Sequence, residues 1–162
     1  MREFSSLAAF AAEITALETK VVFQLEKGLE AVAVKIEKTA KKQIGEYQYA
    51  VGPFPEWEEL ADSTKADRVR KGYTENDPLL RSGQLRDSIS HETKGLEAAI
   101  GSDSDIAVYQ ELGTVEIAPR PFLGPAVEHN HEAIKKIVGG AVVTGLLGGG
   151  SIPAGLEYDH EV

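Results

Sequence analysis

Residues 79–127 read LLRSGQLRDSISHETKGLEAAIGSDSDIAVYQELGTVEIAPRPFLGPAV. Ser82-Gly83 is a turn that opens a short helical start, and Leu85 and Ile89 fall four residues apart on one face. Asp87 to Thr93 and Leu96 to Gly101 read as two strands joined at Lys94-Gly95 in a hairpin. Ile106 to Leu112 is either a short helix or a third strand. Tyr109 through Thr114 sets an aromatic, an acid and a glycine close together, the pattern of a turn docked on a core. Arg120-Pro121-Phe122-Leu123 begins a last helix, with Pro121 in the first turn, where a missing N–H costs nothing. That helix is expected to run to Val138, with Phe122, Ala126, Ala133, Ile134, Ile137 and Val138 on its apolar side and Gly139-Gly140 at its end.

Upstream, Phe4 to Ile44 reads as one long helix. Winding it at about 100° per residue gathers Phe4, Leu7, Phe10, Ile14, Leu17, Val21, Val22, Leu25, Leu29, Val32, Ile36 and Ala40 into one apolar arc. Gly45 is the stop, and Lys41 and Lys42 suit the negative end of the helix dipole. A helix of that length extends about 60 Å, more than the breadth expected of a compact domain of this size. It should therefore break, with Gly28 the candidate position, or protrude. Phe23 and Val34 sit on its polar face; two stray exposed apolar residues are ordinary, and the sharper reading makes them candidates for a subunit contact.

Between these regions, Glu46 to Pro55 reads as an aromatic, turn-rich loop. Trp57 to Lys71 reads as one or two short helices, begun at Asp62 or Ser63 and stopped at Gly72. Arg68, Arg70 and Lys71, with Tyr73 beside them, form the best candidate basic patch, and three such charges ordinarily make a solvated face. Seven of the 24 residues from Gly139 onward are glycine, so residues 139–162 read as a flexible tail with apolar residues able to dock on a neighbour. The order helix, strands, helix predicts an α+β domain over residues 1–138. The long N-terminal helix (4–44) and a C-terminal helix would pack on a small, mainly antiparallel sheet.

Composition narrows the function classes. The chain of 162 residues is of single-domain size and is 42% hydrophobic and 27% charged, ordinary for a globular protein. No run of eighteen apolar residues marks a membrane span. The opening MREFSSLAAFAAE has mixed charge and a broken apolar run, unlike a secretory signal. Cysteine is absent, which removes disulfides and thiolate metal ligands. With 26 acids against 17 bases the net charge is −9, the wrong sign for gripping phosphates; it suits letting DNA pass without sticking, and it equally suits keeping a small protein soluble.

No catalytic, cofactor-binding or metal-binding residue is expected. His129 and His131, two apart on one predicted helix, would point about 200° apart. No G-x-S-x-G surrounds any serine. The glycines from Gly145 to Ser151 lack the lysine of a phosphate loop. Arg120 is the only basic residue between Gly95 and Ile134, among seven acids, so a structural ion pair is expected, with Glu111 as its partner.

Three motifs in order carry a resemblance. Leu80, Gly83, Leu85, Ser88 and Ile89 form the first; Tyr109, Glu111, Gly113 and Thr114 the second; Arg120, Pro121, Phe122, Leu123 and Pro125 the third. Together they resemble the phage tail-component family, the neck, tail-completion or head–tail joining proteins of long-tailed phages and prophages, including Mu-type virion morphogenesis proteins. Trp57, Leu60, Thr64 and Lys65 extend the likeness, which covers about residues 50–138. The resemblance implies a structural virion protein with no enzymatic activity. It would form a ring with copies of itself, sixfold or alternatively twelvefold, and touch neighbouring neck or tail-tube proteins. Genome DNA would meet it only by passage through the lumen, and no membrane would be involved. Its place would be the virion tail or neck, after assembly in the host cytoplasm. Glu111, Gly113, Arg120, Pro121, Phe122 and Leu123 are then structural or interface residues. A small phage-encoded hydrolase and a host-directed binding module are the alternative readings.

Overall fold

A computed structural model describes residues 4–148. They form an α+β fold: a long N-terminal helix, short helices, a C-terminal helix and one two-stranded antiparallel sheet. The elements group into two compact units. One comprises the chain up to Val32, Thr93–Ala98 and the chain from Glu132; the other comprises Ala33–Glu92 and Ala99–His131.

Helix α1, Leu7–Gln43, runs 37 residues without interruption. The expected break at Gly28 does not occur, and the reason lies in the first unit. There α1 meets helix α6, His131–Leu146, in an antiparallel sense. A methyl group on Gly28 would come 3.0 Å from Ala141 Cβ, and one on Gly145 would come 2.6 Å from Val21 Cα. Small residues let the two backbones approach closely, so these glycines are contact residues. Glycine costs a helix about 1 kcal/mol per position relative to alanine, a penalty that close packing offsets here. The apolar arc of α1 is partly covered from Val21 to Leu29, whereas Phe4, Leu7, Phe10 and Ile14 are exposed.

The C-terminal part of the chain departs from expectation in two ways. The single helix predicted from Pro121 to Val138 is two helices, α5, Leu123–His129, and α6, divided at Asn130. The buried Asn130 amide donates to Ala126 O and to Thr39 Oγ1, both at 2.8 Å, so the break is hydrogen-bonded. Residues 139–146, expected in a flexible tail, belong to α6. The remainder of that predicted tail, from residue 149, lies outside the described residues.

The second unit holds most of the core. Ala33, Ile36, Ala40 and Ile44 line up at helical spacing and are buried, as are Trp57, Leu85, Ile89, Ala107, Phe122 and Ala126. Gly45, at φ 106°, ends α1, and its N–H donates to Pro78 O at 2.9 Å. The loop to Pro55 follows, tied by a bridge between Val51 and Phe54. Helix α2, Asp62–Arg70, and the short α3, Gln84–Ser88, precede the hairpin of β1, Ile89–Lys94, and β2, Glu97–Ser102. Gly95 turns the hairpin at φ 56°. Residues 106–112, open between helix and strand in sequence, fall in helix α4, Asp105–Leu112.

Arg68 is not part of a solvated basic face. It is buried, and its guanidinium donates from Nε to Thr74 O at 2.7 Å and from Nη2 to Leu80 O at 2.6 Å. Its charge fastens the 74–80 loop. Arg70 and Lys71 remain outside, paired with Asp67, which also receives Arg81 at 2.9 Å.

Candidate functional site

The residues of the second and third motifs come together in the second unit, where α4, the 113–120 loop and the start of α5 form one interlocked piece. Its centre is Glu111. The carboxylate accepts three backbone N–H groups at the head of α5: Phe122 at 2.8 Å and Leu123 at 3.1 Å on Oε2, and Gly124 at 3.0 Å on Oε1. A helix leaves its first N–H groups without internal partners, and α5 has no capping side chain of its own. Pro125, the next residue, has no N–H to satisfy. Glu111 and Pro125 together therefore account for the donors of this turn.

This arrangement overturns the expected Glu111–Arg120 ion pair. The Arg120 guanidinium instead donates from Nη2 to the carbonyls of Glu58, at 3.0 Å, and Glu59, at 3.4 Å. Its backbone N–H donates to Gln110 O at 2.6 Å, which draws the loop back against α4. Both residues are structural, but each serves a different segment.

The other motif positions have equally local reasons. Gly113 has φ 74°, and a side chain there would press within 3.0 Å of Ile117 O and of Pro119 Cδ. Thr114 closes the loop: its N–H donates to Ile117 O at 2.9 Å, and its Oγ1 accepts the N–H groups of Glu116 and Ile117. Pro121 lies before α5 rather than within its first turn, and its carbonyl accepts the buried Trp57 Nε1–H at 3.0 Å. Phe122 is fully buried, and Leu123 is half-buried at the first helical position. A methyl on Gly124 would lie 2.2 Å from the Phe54 ring.

The two α1 candidates are not part of this assembly. Phe23 belongs to the first unit, half exposed, with the Lys27 ammonium 4.3 Å from its ring centroid. Val34 belongs to the second unit and is half-buried, so it is less available than its polar-face position implied. Leu112, 75% exposed, and Val115, completely exposed, project from the interlocked piece.

Beside this piece runs a groove of about 570 Å³. Its walls are the 58–64 segment, the 79–85 turn, one face of α4 and the 116–118 loop, with Arg120 among its lining residues. Leu79, at φ 62°, is the only non-glycine residue in the left-handed region among the described residues, and it lines this groove. Two of its lining residues, Gln110 and Arg120, each have a buried polar atom without a hydrogen-bond partner, Oε1 and Nε respectively. Gln110, Glu58 and Leu79 drew no attention in the sequence, because a polar residue on a short helix and an unremarkable leucine carry no pattern.

No group of three or more histidine, aspartate or glutamate side chains capable of holding a metal occurs among the described residues. No helix among them is long and apolar enough to cross a membrane. Comparison with family models, curated proteins and solved structures finds no match.

Proposed function

We propose that the chain is a structural virion protein of a tailed phage or prophage, a ring-forming subunit in tail completion or head–tail joining. The observation that supports this most is the use of the motif residues. Glu111, Gly113, Thr114, Arg120 and Pro121 all bond to the backbone or shape it. Such residues build a rigid platform, and the platform displays apolar Leu112 and Val115 to solvent, where a neighbour would cover them. Exposed Phe4, Leu7, Phe10 and Ile14 supply a second apolar surface on α1. A closed ring of identical subunits needs two different surfaces on each. The excess of 26 acids over 17 bases favours a lumen that repels phosphate and lets a genome slide.

Electron micrographs of particles carrying a tagged copy of the chain test this reading. A rotationally symmetric ring at the neck or tail end, sixfold or twelvefold, is expected. Absence from particles, or one asymmetric copy in each, refutes it. Sub-micromolar affinity of the purified chain for duplex DNA at physiological salt refutes the non-sticking lumen.

A further inference from the structure

We propose that the N-terminal arm of α1 pairs, antiparallel, with the same arm of a second copy of the chain. The pairing belongs to the free protein and does not depend on the virion reading; in a ring, the neighbouring subunit would take this partner's place. Along α1, Leu7, Phe10, Ile14, Leu17 and Val21 follow one another at intervals of three, four, three and four residues, and Gly28 comes seven after Val21. That is the repeat of a helix whose seam is filled by another helix. α6 fills the C-terminal stretch of the seam, with Ala141 against Gly28 and Gly145 against Val21. It then ends at Leu146, and Gly148 turns the chain at φ 78°. The rest of the seam is open: from Phe4 to Lys20 every residue except Ala9 and Leu17 is exposed, Leu7 at 83%.

The arm is a formed helix. Ser6 Oγ accepts the Ala9 N–H at 3.1 Å and caps the first turn, and the Phe4 ring meets Phe10 edge-on with centroids 5.1 Å apart. A few uncovered turns gain little stability by themselves, so a covering partner stabilises them. The composition suits burial, because Glu13 is the only charged residue from Phe4 to Leu17.

The seam is complementary to itself. In an antiparallel pair, Leu7 meets the partner's Leu17 and Phe10 meets the partner's Ile14, so every layer is apolar. A parallel pair would set Glu13 beside the partner's Glu18 on both flanks; the antiparallel one leaves a single like pair, Glu13 and the partner's Glu13. The helix ends agree with this direction. α1 has no acid in its first turn, and α6 has no base in its last, where Lys20 of α1 approaches Gly148. In the antiparallel pair the partner's α1 begins level with Leu17, about one turn beyond the Val21 contact. Its positive end then faces the negative end of α6, and each dipole offsets the other.

The chain has no cysteine, so introduced thiols report the pairing directly. On mild oxidation, Leu7→Cys mixed with Leu17→Cys should give a disulfide-linked dimer. Either variant alone should not, because Leu7 and the partner's Leu7 stand about 15 Å apart along the axis. In sedimentation equilibrium the native chain should show a reversible dimer. Ile14→Glu, at an exposed position, should weaken that dimer tenfold or more and leave the circular dichroism spectrum unchanged. Three results overturn the proposal: a native chain that stays monomeric at millimolar concentration, single-cysteine variants that link to themselves, or a dimer that survives Ile14→Glu. A dimer that survives Ile14→Glu but is lost in Leu112→Glu would assign the contact to α4 instead. Particle symmetry is read separately, so the ring and the arm pairing can each fail alone.

Discussion

Replacing Glu111 should unlock the head of α5. In Glu111→Ala the N–H groups of Phe122, Leu123 and Gly124 lose their only side-chain acceptor. Each of these three partly buried donors left unpaired costs about 1 kcal/mol. The sum is about 3 kcal/mol. For a chain of this length each kcal/mol lowers the melting temperature by about 2–4 °C, so a fall of about 6–12 °C is expected. Glu111→Gln keeps one oxygen as acceptor but turns an NH2 group toward the remaining N–H donors, so it should lose about half as much. Thermal unfolding followed by circular dichroism or calorimetry measures both. Glu116→Ala is the control, an exposed acid on the same loop whose removal should change stability by about 0.5 kcal/mol or less. If Glu111→Ala melts with Glu116→Ala, the carboxylate does not hold α5, and the account of the motif is wrong.

Three further outcomes are expected. Gly145→Ala drives a methyl into the α1 backbone at Val21 and should destabilise by about 1–3 kcal/mol in thermal melts, whereas Gly139→Ala, with open space around it, should stabilise by about 0.5–1 kcal/mol. Lys71, then Arg70, holds the Asp67 carboxyl at about 2, below its usual 3.8. A lowered folded-state pKa gives stability that is present above the unfolded value and lost as pH falls through the folded one, so Asp67→Asn should flatten the loss of melting temperature between pH 3.8 and about 2; identical acid limbs would count against the pairing. Phe23→Glu should leave the circular dichroism spectrum unchanged while reducing self-association in sedimentation, and loss of the fold would mean that this ring is a core residue.

The long periodic signals were legible in the sequence and the exceptional positions were not. The apolar arc of α1 predicted a helix ending near Gly45, and the helix ends at Gln43 because that glycine takes φ 106° there. The hairpin was readable from alternation and Lys94-Gly95. Glycine was misread in α6, because its intrinsic cost to a helix is visible in one segment while the approach of a second helix is not. Gly28 and Gly145 have meaning only as a pair of surfaces, one against Ala141 and the other against Val21. Arg68 was misread for the related reason that its partners are carbonyls of a loop, which every residue possesses and no sequence pattern marks.

The exchange of partners between Glu111 and Arg120 follows from helix geometry. Opposite charge alone made them a pair in the linear sequence. In α4, however, consecutive side chains point about 100° apart, so Gln110 and Glu111 cannot face the same neighbour. The Arg120 N–H bonds to Gln110 O, and both residues line the groove. Glu111 is thereby turned toward the α5 backbone, where three N–H donors and a partial positive charge await an anion. Arg120 is left with a guanidinium that no carboxylate among the described residues engages and with an unused Nε–H. The two motifs thus divide the work: the acid of the second closes the head of α5, and the base of the third fastens the chain at the carbonyls of Glu58 and Glu59.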